Sequence, residues 1–447
     1  MSIVTNNNCI LTLKKGEGRS LKAGGAWIYD NEVDRVDGAY ENGDIIAVAD
    51  FDGYPMGYGV INDISKIRVR MLSRYRREAI DDDFICSRVK AAWEYRKAVL
   101  KPEDLRACRL IFGEADWLPG LVVDRYEDLL VVESLSLGID RLKQQILDDL
   151  IRIFNEEQIR IRAIFERSDA PVRKKEGMAP FKGLIYKDDV WLGDESIHIT
   201  SPFSATAVAA VRQDFDPHVE IVENGVHYLV DVQDGQKTGF FLDQKYNRLA
   251  MQQVVRGCLG NESNLSGAGT LKVLDCFTHM GTFALNCGLA GATDVTGLDI
   301  SEFAVQQATE NATRNGLGER VRFRAANVLD ELPRLNASGE KYDIVILDPP
   351  AFTKSREATK NAIKGYRQIN IQGLKLVRSG GFFATCSCSH FMTQELFTKT
   401  IAEAAASAHK RLRQVEFRTQ APDHPILWAA DESYYLKFLI FQVCDDK

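Results

Sequence analysis

A chain of 447 residues that is 45% hydrophobic has material for two or three domains with sizeable cores, and its net charge is −7. No apolar run reaches the length of a membrane span, and the start MSIVTNNNCILTLKK lacks the basic head and long apolar core of an export signal. Nine cysteines of scattered spacing then point to reduced thiols in a cytoplasmic protein, and the acidic total argues against nucleic acid unless the basic residues cluster.

Residues 1–75 read as a small all-β unit. Ile10–Leu13, Asp44–Ala49, Gly57–Ile61 and Ile67–Met71 are short strands, punctuated by turn groups such as Glu41-Asn42-Gly43 and Asp52-Gly53. Lys66, Arg68, Arg70, Arg74, Arg76 and Arg77 fall within twelve residues. Such a patch serves either as an RNA contact or as the charged guard of a strand edge. Residues 76–216 form an α+β unit with a helix from Asp81 to about Leu100 and strands around a Pro119-Gly120 turn. A second helix, Asp140 to Phe154, is expected to be capped by Asp140, and a strand follows near Ala163–Glu166. Arg167, Arg173, Lys174 and Lys175 cluster at its end, as a solvated loop or an RNA path. Residues 178–216 match no element and read as an insertion or linker.

The last region, 217–447, opens with a hairpin across Asn224-Gly225. Val273-Leu274 forms a buried strand ending in Asp275, followed by the loop Cys276–Met280, Gly281 and a helix from Thr282 to Ala290. A second strand, Val295–Leu298, ends in Asp299. Strand, glycine turn, helix, strand and acid make the first half of a nucleotide-binding α/β sheet. Gly281 would let the backbone approach a ligand, and Asp299 can accept both hydroxyls of a ribose. A pyrophosphate site wants several glycines, and only Gly281 stands in this turn, which argues against a dinucleotide. A helix over Glu302–Asn315 stops at Gly316, and the strand Val321–Ala325 leads to Asn327-Val328. Ile344–Leu347 ends in Asp348-Pro349-Pro350-Ala351-Phe352, and Gly380-Gly381 open a strand carrying Cys386 and Cys388. The closing run DHPILWAADESYYLKFLIFQV reads as the final hairpin of the sheet.

An Asp-Pro-Pro at the carboxyl end of a strand sits where ligands bind in this architecture. Two chemistries use such a site. Amino-group transfer to a purine needs an aromatic that stacks on the base, a role that falls to Phe352, one position late. Methylation of cytosine at carbon 5 needs a thiolate to activate the ring, which calls for a cysteine. Cys386 and Cys388 are otherwise small buried hydrophobes, as free cysteines often are. A zinc pair completed by His390 has three local ligands where a closed site wants four, so no metal is expected.

The run ENGDIIAVADFDGYPMGYGVIN, with GRSLKAGGAWIYDNEV before it, resembles the PUA domain, a small RNA-binding barrel. With GEADWLPGLVVDRY, FERSDAPVRKKEG, GQKTGFFLDQKYNR, DCFTHMGTF, DPPAF and SCSHFM in one order, nearly the whole chain resembles the bacterial 23S rRNA cytosine-5 methyltransferase family. That resemblance implies a PUA-like barrel, an α+β middle domain and a C-terminal Rossmann-like class I sheet binding S-adenosylmethionine (SAM). Lys237, Thr238 and Phe240 would come from a run covering the cofactor. Asp275, Phe277 and Gly281 would face its methionine end, Asp299 and Ile300 its ribose, and Asn327 and Val328 its adenine. Asp348 would border the cofactor and hydrogen-bond the cytosine ring nitrogen. Cys388, in Ser387-Cys388-Ser389 and seven residues after Gly381, would be the nucleophile. The implied partner is RNA, 23S rRNA in particular, with no membrane and a homodimer left open. Rival readings are a purine amino-group methyltransferase and a non-catalytic RNA-binding protein on the SAM fold.

Overall fold

The computed structural model describes residues 5–74, 80–192, 215–260, 270–353, 357–428 and 433–446. The chain forms two compact units. The first takes Met1–Ile221, Val230–Leu242 and Pro422–Ser433, and the second Val222–Leu229, Asp243–Ala421 and Tyr434–Lys447.

The first unit holds two six-stranded sheets. In the N-terminal sheet the strands Thr5–Leu13, Ile45–Ala49, Pro55–Ile61 and Ile67–Ser73 lie inside, flanked by Trp27–Tyr29 and Val33–Asp37 at the two edges. Both edge strands escaped the sequence reading for a physical reason. One has three residues, and the other, VDRVD, carries the charge by which an edge avoids pairing with another chain. The basic run does not stay together as a patch. Arg70 is 8% exposed and bonds Glu176 at 3.0 Å and Glu114 at 3.2 Å. Ser65 and Asn62 also donate to Glu176, so Arg70 is a core ion-pair residue and no RNA contact. Arg68 pairs with Asp63, while Lys66 and Arg74 are exposed; Arg76 and Arg77 lie outside the described residues.

The second sheet of this unit runs Val190–Trp191, Phe181–Lys187, Ala163–Ser168, Leu129–Ser134, Leu121–Tyr126, Ala107–Phe112. Residues 181–191, read from the sequence as linker, are therefore sheet strands; 193–214 lie outside the described residues. The helix expected from Asp140 spans Leu137–Glu156 with Ser136 at its N-cap. Asp140 stands inside the first turn, buried, and receives Arg173 at 2.9 Å and Lys143 at 3.3 Å. Arg173 also donates to the carbonyls of Ser134 and Ala179, which removes it from the solvated cluster expected there; Lys174 and Lys175 remain exposed.

The second unit is built on a seven-stranded sheet. In chain order its strands are β1 (Lys272–Cys276), β2 (Asp294–Asp299), β3 (Val321–Ala325), β4 (Tyr342–Leu347), β5 (Val377–Ser387), β6 (Lys410–Arg418) and β7 (Lys437–Asp445). Their spatial order is 3-2-1-4-5-7-6, with β7 antiparallel between β5 and β6. Every residue of β4 is buried, as a central parallel strand covered on both faces must be. Tyr366, Leu374, Phe383 and Phe397 join the core below it, each worth about 2 kcal/mol of apolar burial. The final hairpin is β6 with β7, and Pro422–Ser433 between them belongs to the first unit. β6, KRLRQVEFR, was missed because an exposed edge strand needs no apolar face. Among the described residues no helix is long and apolar enough to cross a membrane.

Candidate active site

The strand order reverses between β1 and β4, and their carboxyl ends border the crevice where this architecture takes ligands. The loop after β1 is backbone-strained: Phe277, His279 and Gly281 have φ of 64°, 52° and 85°. For the two non-glycine residues such angles cost on the order of 1–3 kcal/mol each, and strain of this kind gathers at ligand clamps. Gly281 is required by its angle and by packing, since a Cβ there would stand 2.6 Å from the Phe323 ring.

Asp275, next to last in β1, is fully buried. Its Oδ2 accepts from the Thr278 hydroxyl at 2.5 Å and the Ala284 amide at 2.9 Å, while Oδ1 has no hydrogen-bond partner among the described residues. Burial pushes its pKa up to about 7, and Asp348 and Asp299 add to the rise. A buried carboxylate with an open acceptor is suited to a cationic group. Asp299, half-buried at the end of β2, accepts the His279 amide at 2.9 Å on one oxygen and the Ser301 amide at 3.0 Å on the other. Both bonds fix the orientation of the carboxylate. Ile300 beside it is 71% exposed, an apolar face ready for covering. Asn327 caps the helix Val328–Ala337, its side-chain oxygen accepting from Leu329, and the Val328 side chain is in the core.

Asp348 follows β4, its amide donating to the Cys276 carbonyl at 3.3 Å. Gln244 bridges to it, donating to Asp348 Oδ2 at 3.1 Å and to Cys386 Sγ at 3.2 Å. Cys386 is fully buried, and burial together with the Asp348 charge holds its thiol well above the ordinary range. It is a protonated, hydrogen-bonded core group. Cys388 lies just beyond the end of β5 and is half-buried. The serines around it tie down the loop: Ser387 bonds the Tyr366 hydroxyl at 3.0 Å and Ser389 the Thr353 carbonyl at 2.9 Å. Phe352 packs on Tyr366, ring centroids 4.7 Å apart. Lys437, at the start of β7, buries its Nζ against the Ser389 and Tyr435 carbonyls at 2.6 and 2.8 Å.

Asp275, Phe277, Gly281, Asp299, Asn327 and Asp348 are thus gathered at the carboxyl edge of one sheet. Lys237, Thr238 and Phe240 belong to the first unit. There Thr238 donates to Asp124 at 2.6 Å, the Phe240 amide to the Tyr126 hydroxyl at 3.2 Å, and the Lys237 nitrogen stands 4.5 Å from the Phe241 ring centroid. Sequence reasoning did not single out Gln244, Tyr366 or Lys437. Only Lys437 carried a signal, as a lone cation in the apolar run LKFLIF. Among the described residues no cluster of three or more His, Cys, Asp or Glu could hold a metal.

A doubly wound sheet with a strained turn after β1 and an acid after β2 defines an α/β protein that binds a nucleoside cofactor. It sets a carboxylate and a thiol at the same edge. A family model for S-adenosylmethionine-dependent methyltransferases matches residues 213–442, and one for the PUA-like domain matches residues 11–74. The chain is 35% identical to ribosomal RNA large subunit methyltransferase I of Shewanella denitrificans, over 97% of this chain and 99% of that protein. The same protein of Aeromonas salmonicida is also 35% identical, over 96% of this chain and 98% of the relative. In fold the chain is similar to a solved SAM-dependent methyltransferase from Streptococcus mutans, with TM-score 0.71, 18% identity and 97% and 99% of the two chains covered. The chain belongs to the S-adenosylmethionine-dependent methyltransferases, in the family of ribosomal RNA large subunit methyltransferase I. SAM is its cofactor, and the open Asp275 oxygen and the braced Asp299 carboxylate fit that cationic nucleoside.

Proposed function

We propose that this protein methylates carbon 5 of a cytosine in large-subunit ribosomal RNA, with Cys388 as the attacking thiol. The observation that carries the reading is the contrast between two cysteines two residues apart. Cys386 is sealed in the core with its proton held by burial and Asp348, whereas Cys388 emerges at the strand end, half-accessible. Cytosine C5 is too weak a nucleophile to take a methyl group unaided. The Cys388 thiolate adds to C6, and the ring electrons shift toward C5 and N3. Asp348, braced by Gln244 through Oδ2 and protonated in this step, donates a hydrogen bond to N3 and steadies the negative charge that develops there. Bound SAM supplies an electrophilic methyl group. Once C5 carries it, solvent water takes the C5 proton, the C–H electron pair restores the C5–C6 double bond, and the carbon–sulfur bond breaks with its pair leaving on the thiolate. For the cofactor, Asp299 receives the ribose hydroxyls with Ile300 beside it, and Asp275 the cationic end. The engagement of Phe352 with Tyr366 supports cytosine over a purine that would need that ring for stacking.

The ribosomal substrate rests on the names of the relatives. The test is mass spectrometry of rRNA nucleosides from cells lacking the protein, complemented with wild type or Cys388→Ser. The reading expects 5-methylcytidine with the wild type alone. A methylated purine, or 5-methylcytidine from Cys388→Ser at the wild-type level, overturns it.

A further inference from the structure

We infer that Lys437 is a positioning residue that activates Cys388, its ammonium holding positive charge against the thiol and favouring the thiolate. The inference rests on the reading of Cys388 as the attacking sulfur. Lys437 is paired across the sheet with Ser387, the last residue of β5, and Cys388 is the next residue beyond that rung. The lysine is 1% exposed. Its hydrogen bond to the Ser389 carbonyl anchors the nitrogen on the loop that bears the thiol, and the Tyr435 carbonyl fixes it from the other side. These two bonds use two of the three ammonium protons.

The groups that face Lys437 are few. From β5 and the residue just after it come the thiols of Cys386 and Cys388, both of which interact with its charge. The Tyr434 ring stands 5.7 Å from Nζ, and the Tyr435 hydroxyl is turned to Asp243 at 2.7 Å. Beyond the thiols lie Tyr366, bonded to Ser387, and Asp348, held by Gln244 against Cys386. Among the described residues no carboxylate pairs with Lys437. A buried ammonium without a counter-ion is costly, and strand β7, otherwise apolar at this point, gives it no packing reason to be there. Desolvation, opposed by the two thiols, lowers its pKa to about 8, near the ordinary thiol value of ~8.5. Loss of the thiol proton then costs less. The S–H bond of Cys388 breaks, its electron pair stays on sulfur, and the proton passes to solvent water, leaving a thiolate beside the Lys437 ammonium. Cys386, with its proton held beside Asp348, is not the beneficiary.

The test is alkylation of the full-length protein by iodoacetamide across the neutral and alkaline range, with Cys388 read by tandem mass spectrometry apart from Cys386. Wild-type Cys388 should show a midpoint below the ordinary ~8.5. In Lys437→Met the midpoint should rise by about one unit or more, which is about tenfold slower alkylation at neutral pH. Lys437→Arg, which keeps a charge, should recover most of the shift. A wild-type midpoint at the ordinary thiol value overturns the inference without any variant. So does an unchanged midpoint in a folded Lys437→Met protein, even where 5-methylcytidine is still made. Failure of the cytosine reading looks different: wild type traps no adduct on 5-fluorocytosine RNA while the lysine-dependent shift in Cys388 persists.

Discussion

Replacing Asp299 with alanine removes the carboxylate that the proposed site offers to the cofactor ribose. Each of its oxygens already accepts one backbone amide, from His279 at 2.9 Å and from Ser301 at 3.0 Å. That leaves a second lone pair on each for a ribose hydroxyl. Hydrogen bonds to a charged group are worth about 1.5–3 kcal/mol each. Asp299 is half-buried, so water recovers part of that when the side chain is lost. A net loss of about 3 kcal/mol is therefore expected, or roughly 100-fold in affinity. Loss of the His279 amide partner also loosens a loop strained at Phe277 and His279, which acts in the same direction. Asp299→Asn keeps the size and one acceptor, so about tenfold is expected there. The assay is titration calorimetry with SAM and with its demethylated product, and both should weaken by the same factor because the ribose is common to them. Affinity for SAM within about threefold of wild type in a folded Asp299→Ala protein refutes the assignment.

Four other outcomes are expected. RNA containing 5-fluorocytosine blocks the final proton loss, so wild type and Cys386→Ser should give a denaturation-resistant adduct on a gel and Cys388→Ser none; loss of the adduct in folded Cys386→Ser would move the nucleophile there. Arg70→Met should lower unfolding free energy by about 3 kcal/mol in urea titrations, because it strands the buried Glu176 carboxylate. Exposed Lys66→Ala should leave stability alone and reduce the salt slope of RNA binding by about one; a normal slope argues against a phosphate contact there. The Asp275 pKa of about 7 lies above its ordinary 3.8, so the folded state holds this proton more tightly than the unfolded chain. Its contribution to stability is complete below 3.8 and disappears as pH rises through about 7. Asp275→Asn should flatten that part of the stability–pH curve, and an unflattened curve would assign the dependence to another group.

The elements most legible in the sequence were those whose local pattern and burial agree. β1, its glycine turn, the helix Thr282–Leu289 and β2 read correctly because a parallel strand covered on both faces must be apolar and must end at the ligand edge. The order of motifs along the chain carried the family, and the placement of Asp275, Asp299 and Asp348 at strand ends followed from the same periodicity. Edge strands such as Val33–Asp37 and β6 were illegible because an edge is kept polar to avoid pairing, which erases its alternation.

What charged and sulfur-bearing side chains do was decided by tertiary structure alone. Lys66 and Arg70 are alike in a charge pattern, yet one is in water and the other faces Glu176 and Glu114, brought from residues far along the chain. Arg173 sits beside Lys174 and Lys175 in sequence but turns inward to Asp140. Cys386 and Cys388 are two residues apart, and only the strand end between them and the bridge through Gln244 make one a sealed thiol and the other an accessible one. Lys437 meets that loop because β7 inserts antiparallel against β5 from the far end of the chain. The apolar cores follow patterns that one sequence can show, because burial of apolar surface has no direction. Charge and thiol chemistry depend on which group stands within a few ångströms, and that is set only when distant segments pack.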